Sequence, residues 1–245
     1  MKPLICFLDI ENAPNITYTW GFYEQNVIKV IKPWHLLSCA YKWQGGKCQV
    51  IANDRGDPTN DLKLCTQIRT LLDQADVVIA QNGDAFDIPK INTRLLVHKL
   101  SPPSPYRTID TLKVARSTFA FSSNKLNDMG KALDEGEKLA HRGFEMWEKC
   151  LVGDRRAWDD MKRYNKQDVE LLEKIYLRMR PWIRNHPSFG TYSTNMVCPK
   201  CGSDHIQSRG VGANNSGTFT KFQCQKCGGW SRVKKITKSD NLVNA

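Results

Sequence analysis

The chain has 245 residues, a quarter of them charged, with a formal net charge of +11 and a pI near 9.2. That length fits one sizeable α/β domain plus a small extra module, and the positive balance favours a polyanionic partner such as nucleic acid. No apolar run approaches the roughly 20 residues of a membrane span, no signal peptide opens the chain, and nine scattered cysteines do not make a disulfide framework, so membrane and secreted classes are set aside and a reducing cytoplasm is expected.

Residues 4–10 are apolar on both faces, the pattern of a central strand in a covered sheet. Side chains alternate along a strand, so Asp9 and Glu11 project on one face with Ile5 and Phe7. Residues 27–31, 36–43 and 48–51 predict three more strands in a meander beside the first, with Gly45-Gly46 as a turn. Leu62, Cys65, Ile68, Leu71 and Leu72 recur at helical spacing and predict a helix over 59–74, started by Asp57-Pro58-Thr59. A second all-apolar strand over 75–80 ends in the turn Gln81-Asn82-Gly83-Asp84 and leads into a helix over 87–99. A strand end and short helices are expected over 109–116 and 126–133, then a long helix over 154–183 stopped near Asn185-His186-Pro187. A polar linker over 184–197 separates a domain spanning 1–190 from a module spanning 196–240.

Two carboxylates about 5 Å apart repel by roughly 3 kcal/mol at an effective dielectric of about 20. Side by side, Asp9 and Glu11 therefore call for a cation or a retained proton, unless they lie at a solvated strand end. On the long helix Trp158, Met161, Asn165, Asp168, Leu172, Ile175 and Met179 are spaced by threes and fours, as in a buried stripe. An aspartate in that stripe must be paired, hydrogen-bonded or metal-bound; the alternative is a broad helix with Asp168 at its surface. Tyr164, one turn earlier, shares nearly the same side or is a packing aromatic. Asp87 is a site carboxylate or a helix cap, with Asp84 as the second candidate.

Asp9-x-Glu11 on the first strand, Asn82-x-x-x-Phe86-Asp87 after a later strand and Tyr164-x-x-x-Asp168 on a late helix, in this order, resemble the three motifs of the DEDD 3′ to 5′ exonucleases, Tyr subclass. The pattern is similar to the proofreading domain of family B DNA polymerases, and more so to predicted phage exonucleases of the ribonuclease H-like superfamily. It extends over residues 20–26, over 123–126, over Pro181-Trp182-Ile183 and to the terminal cysteines.

The resemblance implies an α/β fold with a ribonuclease H-like mixed sheet flanked by helices. It also implies hydrolysis at DNA 3′ ends, releasing nucleoside 5′-monophosphates, with two magnesium or manganese ions. Asp9 would bridge both ions, Glu11 and Asp168 would complete the nucleophile side, Asp87 would serve the leaving-group side directly or through water, and Tyr164 would orient the attacking water. The subclass rests on Tyr164, since the His type has histidine five residues before the last aspartate, where this chain has Arg163. An all-oxygen ligand set by itself suits hard divalent ions. Asn82 and Phe86 are expected to wall the terminal nucleotide; Lys125 is a phosphate contact or a solvated charge. The expected setting is a stand-alone proofreading or processing subunit with a DNA polymerase or replisome component as partner, in the host cytoplasm if phage-encoded. A 3′ to 5′ exoribonuclease and a non-catalytic recruitment protein are the alternatives. A pure binder gains nothing from negative charge at its phosphate site.

Cys198-Pro199-Lys200-Cys201-Gly202 and Cys224-Gln225-Lys226-Cys227-Gly228 form two knuckles, and four thiolates with glycine after each second cysteine predict one structural zinc ion, with His205 as a distant substitute ligand. From residue 196 onward there are eight Lys/Arg against two Asp/Glu. Phe219, Lys221, Phe222, Trp230, Arg232, Lys234 and Lys235 supply the stacking rings and cations that single-stranded DNA would use, or a protein dock. The other five cysteines are expected to pack as small hydrophobes.

Overall fold

The computed structural model describes residues 3–23, 26–137, 143–214 and 217–233. Its first half runs β1 (Ile5–Asn12), β2 (Ile16–Tyr18), β3 (Lys29–Lys32), β4 (Leu36–Trp43), β5 (Gln49–Ala52), α1 (Leu62–Gln74), β6 (Val77–Ala80), α2 (Asp87–Val97) and β7 (Arg107–Asp110). Then come α3 (Thr111–Thr118), α4 (Leu126–Ala132), α5 (Glu145–Leu151), α6 (Arg155–Met179), β8 (Ile206–Asn214), β9 (Gly217–Cys224) and β10 (Trp230–Arg232). Two compact units result, Leu4–Ile175 and the described residues from Tyr176 onward.

The larger unit is built on a five-stranded sheet of order β5-β4-β1-β6-β7. β1 sits in the middle, antiparallel to β4 and parallel to β6, and β7 adds parallel to β6. The first half of a strand so placed has no solvent face, which is why Ile5 to Leu8 are all apolar and buried. Cys6, Leu8 and Ile10 pack with Leu64, Ile68, Leu72, Ile91 and Leu95 of α1 and α2, while Ile5 and Phe7 are buried on the opposite face. Burial pushes the thiols of Cys6, Cys65 and Cys150 up to about 12 and that of Cys39 well up. These four therefore pack as protonated, inert side chains.

Four expectations need correction. The segment predicted over 27–31 does not join the meander. β3 pairs with β2 in a separate two-stranded ribbon whose β3 residues are all exposed, because β4 takes the place beside β1. Helix α1 starts at Leu62, since Asp57-Pro58-Thr59 folds into a turn in which Thr59 Oγ1 donates to Asp57 Oδ1; Leu62 itself is exposed. The short helix α5 was not anticipated, although its Met146 and Cys150 are buried against Trp158 and Met161. Finally, the stretch expected as a linker is packed within the smaller unit: Phe189 is buried, its N–H donates to Pro199 O, and His186 stands edge-on to its ring at 5.1 Å.

One buried ion pair fixes how α1, α2 and β4 meet. The fully buried Asp61 carboxylate accepts from Leu36 N at 2.8 Å and from Arg94 Nε and Nη2 at 2.7 and 2.5 Å, with His98 Nε2 at 2.6 Å. Burial pushes this carboxyl up, but the hydrogen bonds from Arg94, Leu36 and His98 outweigh it and hold it below its ordinary value. Asp61, Cys65 and His98 have the spacing of a metal site, yet the Arg94 guanidinium already supplies the positive charge. Truncating Asp61→Ala leaves Arg94 uncompensated and is expected to cost about 3–5 kcal/mol, read as a lower urea midpoint. With a depressed folded pKa, this stabilisation is complete above about pH 4 and fades as pH falls through the folded value. The variant should lose that part of the acid-unfolding profile.

Candidate active site

β1 delivers Asp9 and Glu11 to one face, and its register with β4 sets Ala40 opposite Asp9 and Ser38 opposite Glu11. α6 lies over that face and brings Asp168, 3% exposed, into the same place. One carboxylate oxygen from each of Asp9, Glu11 and Asp168 lies within 4.8 Å of the other two. At an effective dielectric of about 20 each such pair repels by roughly 3 kcal/mol, so three pairs approach the whole stability of a domain. The donor set is all carboxylate oxygen, the chemistry that fits hard divalent cations.

Two buried side chains missed as functional residues hold this cluster in shape. Asn165 Nδ2 donates to Asp9 Oδ2 at 2.6 Å and to the Asp9 carbonyl at 3.1 Å, and Asn165 Oδ1 accepts from Ser38 Oγ at 2.9 Å. Both Asn165 and Ser38 are completely buried. The signal was present: a polar residue in an apolar stripe, one turn before Asp168.

Asp87 reaches the same strand differently. Pairing of β1 with β6 covers only Ile5 to Phe7, so the Ile10 N–H lies beyond it, and Asp87 Oδ1 accepts that hydrogen at 3.0 Å. Its carboxylate lies outside the trio grouped within 4.8 Å, although the Cys39 thiol feels the charges of both Asp9 and Asp87. Burial pushes the Asp87 carboxyl up to about 7; the Ile10 hydrogen bond opposes the shift and the charge of Asp110 adds to it. Asp84 turns away to Lys113, Oδ2 to Nζ 2.7 Å.

The turn before Asp87 is tightly built. Asn82 is left-handed at φ 61°, and a Cβ on Gly83 would lie 2.4 Å from Ala80 Cβ, which only glycine avoids. Asp110, also unanticipated, accepts from Asn82 N and Asp84 N while capping α3 through Leu112 N and Lys113 N. Phe86 remains 39% exposed beside Asp87, and Lys90 Nζ lies 5.0 Å from its ring and 4.0 Å from that of Trp34. Tyr164 is half-buried and meets Trp147 edge-on at 6.4 Å. Lys125 is exposed at the N-terminus of α4.

A family profile described as the RNase H superfamily matches residues 6–180. The chain belongs to the RNase H superfamily. Among solved structures, this superfamily member is similar to the family B DNA polymerase of the hyperthermophilic archaeon Pyrobaculum calidifontis. The TM-score is 0.52 at 12% identity, covering 73% of this chain and 25% of the polymerase. The match therefore spans a quarter of that protein and speaks for the fold. No curated protein matches the chain. Superfamily membership supports a nuclease function and with it contact with nucleic acid; RNase H-like nucleases use divalent metals. Among the described residues no helix is long and apolar enough to cross a membrane.

In the smaller unit, Cys198, Cys201, Cys224 and Cys227 place four sulfurs within 4.8 Å of one another. The two knuckles match: Gly202 N donates to Cys198 O and Gly228 N to Cys224 O, both at 2.9 Å, with φ of 70° and 74° at the two glycines. Cys227 N points at Cys224 Sγ, 3.5 Å away. Burial pushes the Cys224 thiol up, but the amides of Cys227 and Lys226 prevail and bring it below its ordinary value. Trp230 is 52% exposed, whereas the Phe219 ring lies between Gly212 and the Arg232 guanidinium, so it is less available for stacking than the sequence implied. Lys234 and Lys235 lie outside the described residues.

If the three carboxylates form a cation site, Asp168→Asn relieves repulsion and should raise stability in chelator by about 1–3 kcal/mol. Manganese at a hundredfold excess over its Kd should stabilise the unaltered protein by about 2.7 kcal/mol and the variant hardly at all. Thermal unfolding with and without manganese checks both.

Proposed function

We propose that the protein is a 3′ to 5′ exonuclease of the DEDD type, Tyr subclass, which shortens DNA from its 3′ end and releases nucleoside 5′-monophosphates. The observation that carries this reading is the meeting of Asp9 and Glu11 from the first strand with Asp168 from a late helix. Two magnesium or manganese ions, held by Asp9, Glu11, Asp168 and, on the leaving-group side, Asp87, would supply an activated water and charge stabilisation of the departing oxygen.

The chain's own groups provide the geometry. Asn165, backed by Ser38, fixes the Asp9 carboxylate and so presets the ligand oxygens before substrate arrives. Asp87, pinned to the Ile10 N–H, keeps a fourth carboxyl against β1. Tyr164 orients the attacking water rather than deprotonating it, since phenols in general are poor bases at neutral pH. Asn82 and the exposed Phe86 ring wall the terminal nucleotide, and Lys125 contacts its backbone.

The catalytic domain is assigned to 1–190 and a zinc ribbon to 196–240, with Trp230, Lys234 and Lys235 as further contacts to single-stranded DNA. Zinc is supported by spacing: tetrahedral Zn–S bonds of about 2.3 Å require sulfurs about 3.8 Å apart, and Cys198–Cys227 and Cys201–Cys224 stand at 3.7 and 3.6 Å. The proposed setting is cytoplasmic, the host cytoplasm if the protein is phage-encoded, beside a DNA polymerase or another replisome component.

With a 5′-labelled DNA strand, magnesium or manganese should give a ladder shortening from the 3′ end and chelator should give none. Asp9→Ala should abolish the ladder and Asn165→Ala should slow it by about 10- to 100-fold. A strand cut internally, or an Asp9→Ala protein of normal rate, sinks the proposal; faster digestion of RNA reassigns the substrate. Purified protein should carry about one zinc per chain by atomic emission, and Cys224→Ser should lose it together with the thermal transition of that unit.

A further inference from the structure

The segment between β1 and β4 carries the three large hydrophobic side chains of highest exposure among the described residues, Phe22, Trp20 and Tyr23. Tyr18, Trp20, Phe22 and Tyr23 are 62%, 88%, 99% and 85% exposed. A concentration of exposed apolar rings of this kind marks an interaction surface. Its place in the fold is informative. β1 and β4 are hydrogen-bonded neighbours, and the 13–35 segment closes their shared end, where Glu11 faces Ser38 and Asn12 faces Leu36. Ala13 N bonds His35 O and Asn15 Oδ1 accepts from Trp34 N, so the ribbon is rooted one residue beyond the carboxylate-bearing strand. The eight steps from Asn12 to Trp20 extend about 27 Å at most.

We propose that this ribbon is a base-stacking platform that engages single-stranded nucleic acid on its way to the carboxylate cluster, an assignment that rests on the nuclease reading above. Charge separates this occupant from a second copy of the chain. Tyr18 pairs across the ribbon with Lys29 and Ile16 with Lys32, which sets an aromatic face next to a cation, as a base with its phosphate requires. The segment carries these two lysines against one glutamate, in a chain of net charge +11. A second copy would bring like charge to the same surface, whereas a nucleic-acid strand brings the opposite. At the ribbon's root Lys90 lies over Trp34 and Phe86, continuing the aromatic and cationic surface to the residue before Asp87.

The test is equilibrium binding of a fluorescent oligothymidylate of about 12 nucleotides, within the usual single-strand site sizes, to the full chain in chelator, where nothing is cleaved. Trp20→Ala/Phe22→Ala should weaken binding about 10-fold or more, and Trp20→Phe should stay within about 2-fold because the ring is kept. Lys29→Gln/Lys32→Gln should flatten the log–log salt dependence by about 1.4. Unchanged affinity in the double aromatic variant overturns the proposal. So does light scattering that shows a dimer dissolved by those substitutions with DNA affinity intact, which would make the ribbon a self-association surface. The nuclease reading is judged separately by the magnesium ladder, so an inactive protein whose ribbon variants lose binding keeps this inference and discards the other.

Discussion

Mutual repulsion among Asp9, Glu11 and Asp168 is the constraint around which the larger unit is organised. Three carboxylates this close, one almost wholly buried, oppose the folded state by an amount comparable with its entire stability unless positive charge or protons enter. The scaffold resists their separation. β1 is locked on both edges by β4 and β6, and the far side of the sheet is filled by α1 and α2. Asn165, backed by Ser38, then clamps the Asp9 carboxylate. Apolar packing and a hydrogen-bond chain thus hold in place a charge distribution that would otherwise spread apart.

The same logic of paired charge explains why Asp61 behaves oppositely. It too is a buried carboxylate among potential ligands, but Arg94 lies against it in a two-point contact. One acidic centre is neutralised by an arginine and helps hold helices; the other groups three carboxylate oxygens within 4.8 Å, a spacing that could hold a cation. Charge complement, more than burial, distinguishes them. The cysteine cluster offers a third case, in which backbone amides rather than cations favour the thiolate form at Cys224.

Much of this was legible in the sequence because periodicity reports burial. The apolar first half of β1, the all-apolar β6, the stripe of α6 with Asp168 inside it, and the glycine-terminated knuckles all fall where their patterns indicated, and the mixed sheet flanked by helices is the architecture expected. What escaped had no local signature. Asn165 reads as one polar interruption of a stripe, and its role emerges only when β4 brings Ser38 within 2.9 Å. Asp110 looks like an ordinary helix cap until it is seen gathering amides from a distant turn. The apolar run of β3 resembles a core strand, yet its neighbour in sequence, β4, already occupies the position beside β1. Competition for a sheet edge is a tertiary fact that hydropathy does not record.

The cluster's dependence on α6 also has a temporal side. Asp9 and Glu11 leave the ribosome well before Asp168, since the residues that complete and brace their grouping lie near the end of the larger unit, and chains are made at about 5–20 residues per second. During synthesis the first strand therefore waits many seconds without Asp168. A nascent chain cannot assemble the three-carboxylate centre before its sheet has a helix to close it, so the centre comes into being only once the larger unit is nearly complete.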